Sequence, residues 1–152
     1  MNTSGATNTT LAAPLGHINV HIRDGSAILL HSQPGYTIRD TLSSPYSLLV
    51  SQTAGGYAFG TAYFDDGESI PPTPSTTAKF SVSNGLLIIR PTGSYNISQR
   101  LTTVTILGAR KPAVVKLNGN IVRTWQYRNA TQELVITAIE VDLNIPGMLS
   151  WL

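Results

Sequence analysis

The pair Asn84-Gly85, set between alternating apolar runs at 79–82 and 86–90, constrains this chain more than any other feature. A two-residue loop of this kind needs a left-handed backbone at both positions. Asn and Gly tolerate that geometry, and its twist matches a pair of antiparallel strands. Asn118-Gly119 repeats the signal between 113–117 and 121–127. The rest of the chain reads the same way. Residues 16–23 alternate, with Ile18, Val20 and Ile22 on one side and His17, Asn19, His21 and Arg23 on the other, the pattern of a half-buried strand. Asp24-Gly25-Ser26 turns that strand into a return strand at 27–31. Further short strands are predicted at 46–50, 57–64, 101–107, 134–138, 141–143 and 149–152, while 33–45 and 68–77 carry prolines among polar residues and read as connections. No window of eleven or more residues keeps a helical period. The predicted fold is all-β, an antiparallel β-sandwich of about ten short strands with almost no helix. Residues 1–13 are small and polar and are expected to form a flexible segment, leaving 14–152 as a single sandwich domain.

Composition narrows the function. A chain of 152 residues is long enough for one buried core. Charged residues are only 12% of it, and the ten Lys and Arg are dispersed. Nucleic acid is not an expected partner, because a groove for it needs a stripe of positive charge. The absence of cysteine excludes disulfides, thiolate nucleophiles and Cys-based zinc sites. No apolar run approaches the roughly 20 residues that span a bilayer, so no membrane partner is expected. The first residues lack the basic start and apolar stretch of a secretion signal. If Met1 is the natural start, a cytoplasmic location is expected. Four N-x-S/T sequons, at Asn2, Asn8, Asn96 and Asn129, point instead to a secreted ancestry.

The clearest hint of chemistry is the acidic stretch Asp65-Asp66-Gly67-Glu68 at the end of the predicted strand 57–64. Neighbours on a strand face opposite ways, so Asp65 and Asp66 do not converge as an acid/base pair. Calcium needs six to eight oxygens, more than this loop offers. The stretch therefore reads as a turn in which carboxylates accept backbone N–H bonds. His17 and His21 share a strand side but lie about 13 Å apart at the usual rise, so no metal site is expected. His21, Arg23 and Asp24 form the densest polar group, and a histidine titrates near neutrality. There is no G-x-S-x-G elbow, and no helix follows Gly55-Gly56 to make a phosphate cradle. No cofactor is expected. Trp125 and Tyr127 share a strand face; they either form a sugar-stacking platform or fill the core, and the core is favoured.

Several collinear segments carry a family likeness. APLGHINVHIRDGSAILL, GYTIRDTLSSPYSLLV and GTAYFDDGESI, followed by ILGARKPAVVKLNGNIVRTWQY and ELVITAIEVDLNIPGMLSWL, span almost the whole chain. They resemble the C-terminal region of glycoside hydrolase family 31, the fungal α-glucosidases. The resemblance implies that 14–33 are the last strands of a proximal β-domain and 34–152 a complete distal one. It also implies that the (β/α)8 barrel, which holds the family's catalytic aspartates, is not present in this chain, so no glycosidase activity of its own is expected. Two departures stand out: Asp24-Gly25 where the family has two glycines, and no proline at 27–31.

Three functions are compatible with this reading. The first is a stand-alone, non-catalytic β-sandwich. The second is a truncated descendant recruited in secondary metabolism as a small-molecule-binding enzyme of isomerase or cyclase type. Its catalytic candidates are His21, Arg23, Asp24 and Asp65, with Tyr63, Trp125 and Tyr127 against the ligand. The third is a weak α-glucan-binding module built on Trp125 and Tyr127. An unpaired edge at the first strands makes a homodimer an expected partner arrangement.

Overall fold

The computed structural model describes residues 10–70 and 74–152. The sequons at Asn2 and Asn8, most of the segment expected to be flexible, and residues 71–73 of the predicted 68–77 loop lie outside the described residues. The elements in chain order are β1 (Ser26–His31), α1 (Ile38–Leu42), β2 (Tyr46–Ser51), β3 (Ala58–Phe64), β4 (Thr76–Ser83), β5 (Leu86–Gly93), β6 (Leu101–Leu107), β7 (Val115–Leu117), β8 (Asn120–Val122), β9 (Trp125–Arg128), β10 (Glu133–Ile136) and β11 (Gly147–Trp151). The all-β expectation holds, with α1 as a single capped turn in which the Thr37 hydroxyl accepts the Asp40 N–H at 3.1 Å.

The strands form one sheet in the order β8-β7-β11-β5-β4-β3-β1-β2-β6-β10-β9. Most neighbours pair antiparallel, but β1 meets β3 and β2 meets β6 in parallel. The two ends of this order, β8 and β9, are consecutive in the chain, separated only by Arg123 and Thr124. The sheet therefore curls back until its edges face each other, as a nearly closed sandwich. Both edges are short, which limits their value as templates for further strands.

Alternation along each strand builds a single interior. In β4, Thr76, Ala78, Phe80 and Val82 point inward and pair with inward residues of β5, Phe80 opposite Ile89 and Val82 opposite Leu87. Leu48 and Val50 of β2 and Val104 and Ile106 of β6 fill the other side. Each such side chain contributes about 1.5–3 kcal/mol on burial. Both Asn-Gly hairpins form as read, with φ 49° and 75° at Asn84-Gly85 and 49° and 86° at Asn118-Gly119. Gly60 serves a different need. A Cβ there would lie 1.8 Å from the Ala27 carbonyl oxygen, so only glycine lets β1 rest on β3.

Three expectations are corrected. The strand predicted at 16–23 does not form, and Ile18 and Val20 are 90% and 82% exposed. Alternation marks a segment that fits a sheet, but both sides of β1 are already taken by β2 and β3. The strand predicted at 121–127 divides into β8 and β9, because the chain crosses there from one end of the sheet to the other. The run 141–143 is reduced to one bridge, Val141 to Leu101. Residues assigned by the resemblance to a preceding domain are partly integrated: β1 pairs along its whole length with β2.

Candidate functional site

The structure places the sequence-derived candidates at separate locations. His21 and Arg23 are exposed and belong to no element. Asp24 sits in the turn before β1, where the Gly25 N–H donates to the Ser51 carbonyl at 2.8 Å and the Ser51 hydroxyl lies 3.4 Å from the Asp24 carboxylate. Ser26 aligns with Phe59, so Asp24 lies near the start of β3 and Asp65 just past its end. Asp65 is six residue steps along the chain from Phe59, roughly 20 Å at the usual rise. Asp65 is therefore not brought to the His21-Arg23-Asp24 group.

The acidic stretch is the turn its composition suggests. Asp65 accepts the Gly67 N–H at 2.9 Å; Asp66 accepts the N–H groups of Glu68 and Ser69 at 3.1 and 3.0 Å and the Ser69 hydroxyl as well. The Ser69 hydroxyl and then these N–H groups hold the Asp66 carboxyl below the ordinary carboxylate range. Trp125 and Tyr127 are half-buried against the core. The Tyr127 hydroxyl donates to the Ala109 carbonyl at 3.0 Å, so this ring anchors a loop. Among the described residues, no three His, Asp or Glu side chains cluster closely enough to hold a metal ion.

Two surface features were not singled out from sequence. The first is the outer face of β2, β1 and β3. Ile28 and Leu30 point outward from β1, Leu49 pairs with Ile28 from β2, and Phe59 and Tyr63 stand on β3 at 55% and 64% exposure. The signal was available: the run AILL is apolar on both sides, which marks a strand covered on both faces. Contiguous apolar surface of this kind marks an interaction site. The second is a cavity of about 780 Å³ at one end of the sheet, between the β2–β3 loop, the Asn84-Gly85 turn, residues 108–112 and Trp151.

Fold and surface together define a β-sandwich module with an apolar flank. The relatives place it further. The chain is 46% identical over 134 residues to an α-glucosidase of Schizosaccharomyces pombe, an alignment covering 88% of this chain and 14% of that protein. It is 38% identical over 142 residues to an α-glucosidase of Candida tsukubaensis, covering 92% and 13%. A family 31 glucosidase of S. pombe is 35% identical over 144 residues, 94% of this chain and 14% of the relative. No protein-family model matches. Among solved structures, the glucosidase II α subunit superposes with a TM-score of 0.68 at 16% identity, over 86% of this chain and 17% of that one. A family 31 dextranase of Flavobacterium johnsoniae does so at 0.63 and 16%, over 86% and 19%. These two show the fold. The chain is homologous to one segment of the glycoside hydrolase family 31 α-glucosidases and spans about one-seventh of their length. Among the described residues there is no (β/α)8 barrel, the only helix being the five residues of α1.

Proposed function

We propose that this sandwich is a non-catalytic accessory domain of an α-glucosidase-type enzyme, and that it acts by supporting a catalytic unit. One observation carries the reading: the apolar outer face of β2, β1 and β3, which is costly to leave in water. Its occupant is the remainder of a family 31 polypeptide. The segment 16–23 fits the same account, since its unused alternation suits a strand completed by a neighbouring sheet. The alignment with the family 31 glucosidase, 94% of this chain, necessarily includes that segment. The described sequons, Asn96 and Asn129, lie outside β1, β2 and β3.

The test is complementation. The S. pombe α-glucosidase lacking its matching segment is co-expressed with this chain, and maltose hydrolysis is measured. Rescue is expected, and Leu30→Asp or Phe59→Asp should abolish it without changing the melting temperature of the isolated chain. Hydrolysis of p-nitrophenyl α-glucoside by the chain alone would overturn the non-catalytic reading. Rescue indifferent to both substitutions would overturn the role of the face. A dimer in sedimentation, dissolved by Phe59→Asp, would assign the face to a second copy instead. Small-molecule binding is a separate reading, and it rests on the cavity at the end of the sheet.

A further inference from the structure

We propose that the cleft at the Arg110-Lys111 end of the sheet binds a small organic oxyanion, a carboxylated or phosphorylated compound with a hydrogen-bonding body. A cavity of about 780 Å³ falls within the range of small-molecule sites, roughly 300–1,000 Å³. Its charged side chains have one sign, and the Leu152 main chain, the last of the sequence, also stands in the lining. Arg110 and Lys111 are the only ionisable side chains among the lining residues. The ion pairs found among the described residues are Arg100 with Asp142 and Arg128 with Glu133, so neither cation is neutralised by a carboxylate. The nearby acids are committed elsewhere: Glu133 to Arg128, and Asp24 beside the Ser51 hydroxyl. Around the cations stand the amides of Gln52, Asn84 and Gln132, with the buried Trp151 as the apolar wall. An arginine fork matches the paired oxygens of carboxylate or phosphate, and amides suit hydroxyl groups.

The loop that carries the two cations is held before any ligand arrives. On one side, the Ala109 N–H donates to the Gln132 carbonyl at 3.0 Å and the Ala109 carbonyl accepts the Tyr127 hydroxyl at 3.0 Å. On the other, the Ala113 N–H donates to the Leu152 carbonyl at 2.6 Å. Pro112, buried between these anchors, removes backbone freedom from the short span that remains. Less ordering entropy is then lost on binding. Residue types and anchoring together set this cleft apart from a pair of solvated surface lysines or arginines.

Trp151 supplies the readout. The chain has two tryptophans, so Trp125→Phe leaves Trp151 as the reporter. Titrations use glucose 6-phosphate, glucuronate and glucose. Saturable fluorescence change is expected with at least one of the two anions and none with glucose; comparison of the anions assigns the oxyanion to phosphate or carboxylate. Arg110→Gln and Lys111→Gln are each expected to weaken binding about tenfold. Both side chains are exposed, so the melting temperature should not move. The amide shifts of Gly85 and Gly108 in the unsubstituted chain give a second readout should Trp125→Phe fail to fold. No response to either anion, an equal response to glucose, or affinity unchanged in both variants would overturn the assignment. The outcome is independent of the complementation experiment.

Discussion

Asn144 and Ile97 are joined edge to edge across 47 residues of sequence: Asn144 Oδ1 accepts the Ile97 N–H at 2.8 Å, and its Nδ2 donates to the Ile97 carbonyl at 2.8 Å. The amide does for Ile97 what a neighbouring strand does elsewhere. It is held in place by Asp142, whose Oδ1 accepts both the Asn144 N–H and Nδ2 at 2.8 and 2.7 Å. Asn144→Ala is expected to cost about 2–4 kcal/mol, because it strands two polar groups of a buried residue. Urea unfolding measures this directly.

Asp142 makes the same corner sensitive to acid. The Asn144 N–H first, then the Arg100 guanidinium and the Asn144 side chain, hold its carboxyl below the unfolded value of 3.8. A depressed carboxylate stabilises the fold above that value, and the contribution is lost as pH falls through the folded value. Unfolding midpoints below pH 4 should fall with acid, and the fall should be shallower in Asp142→Asn. Equal slopes in the two proteins would contradict this.

At the alkaline end the relevant group is Tyr46. Burial first, and the Tyr95 hydroxyl second, raise its phenol above 10.0. The neutral phenol is the form the fold accepts, between His31 and Phe64 at ring-centre distances of 4.8 and 5.6 Å. Stability is fully present below 10.0 and declines as pH climbs from there to the folded value. Tyr46→Phe should remove that part of the decline.

Gly60→Ala tests the join between β1 and β3. The added methyl meets the Ala27 carbonyl oxygen, so either β1 shifts or the pairing opens. The expected cost is about 1–3 kcal/mol. Hydrogen exchange should quicken at Phe59, whose N–H donates to the Gly25 carbonyl at 2.9 Å, and stay unchanged in β10.

Phe59→Ser should behave in the opposite way. The ring is more than half exposed, so thermal stability should change by no more than about 0.5 kcal/mol. Binding of an apolar dye to the isolated chain should drop. A large loss of stability would mean that Phe59 is packed and that the outer face is not free.

What was legible in the sequence was local. Asn84-Gly85, Asn118-Gly119 and the carboxylate turn at Asp65 and Asp66 depend on residues next to one another, and all three form as read. What was not legible depends on partners far along the chain. The alternation of 16–23 says which side is apolar but not which sheet receives it. The parallel join of β2 to β6 brings Leu48 beside Val104, and no nearby residue signals it. Trp125 and Tyr127 were weighed between a sugar platform and the core; both stand half-buried against the core, and the use of the Tyr127 hydroxyl on Ala109 required the fold.

The position of β11 sets a schedule for making this molecule. It is the last strand in the chain, yet it lies between β7 and β5. A nascent chain that has emerged only as far as β10 holds a β7–β8 hairpin tied by strand pairing to nothing else, and a bare β5 edge carrying Leu87 and Ile89. Until Gly147–Trp151 leaves the ribosome, that edge is open to any sticky segment nearby. Assembly of this part of the sheet therefore waits for β11, and a chaperone has its opportunity in that interval.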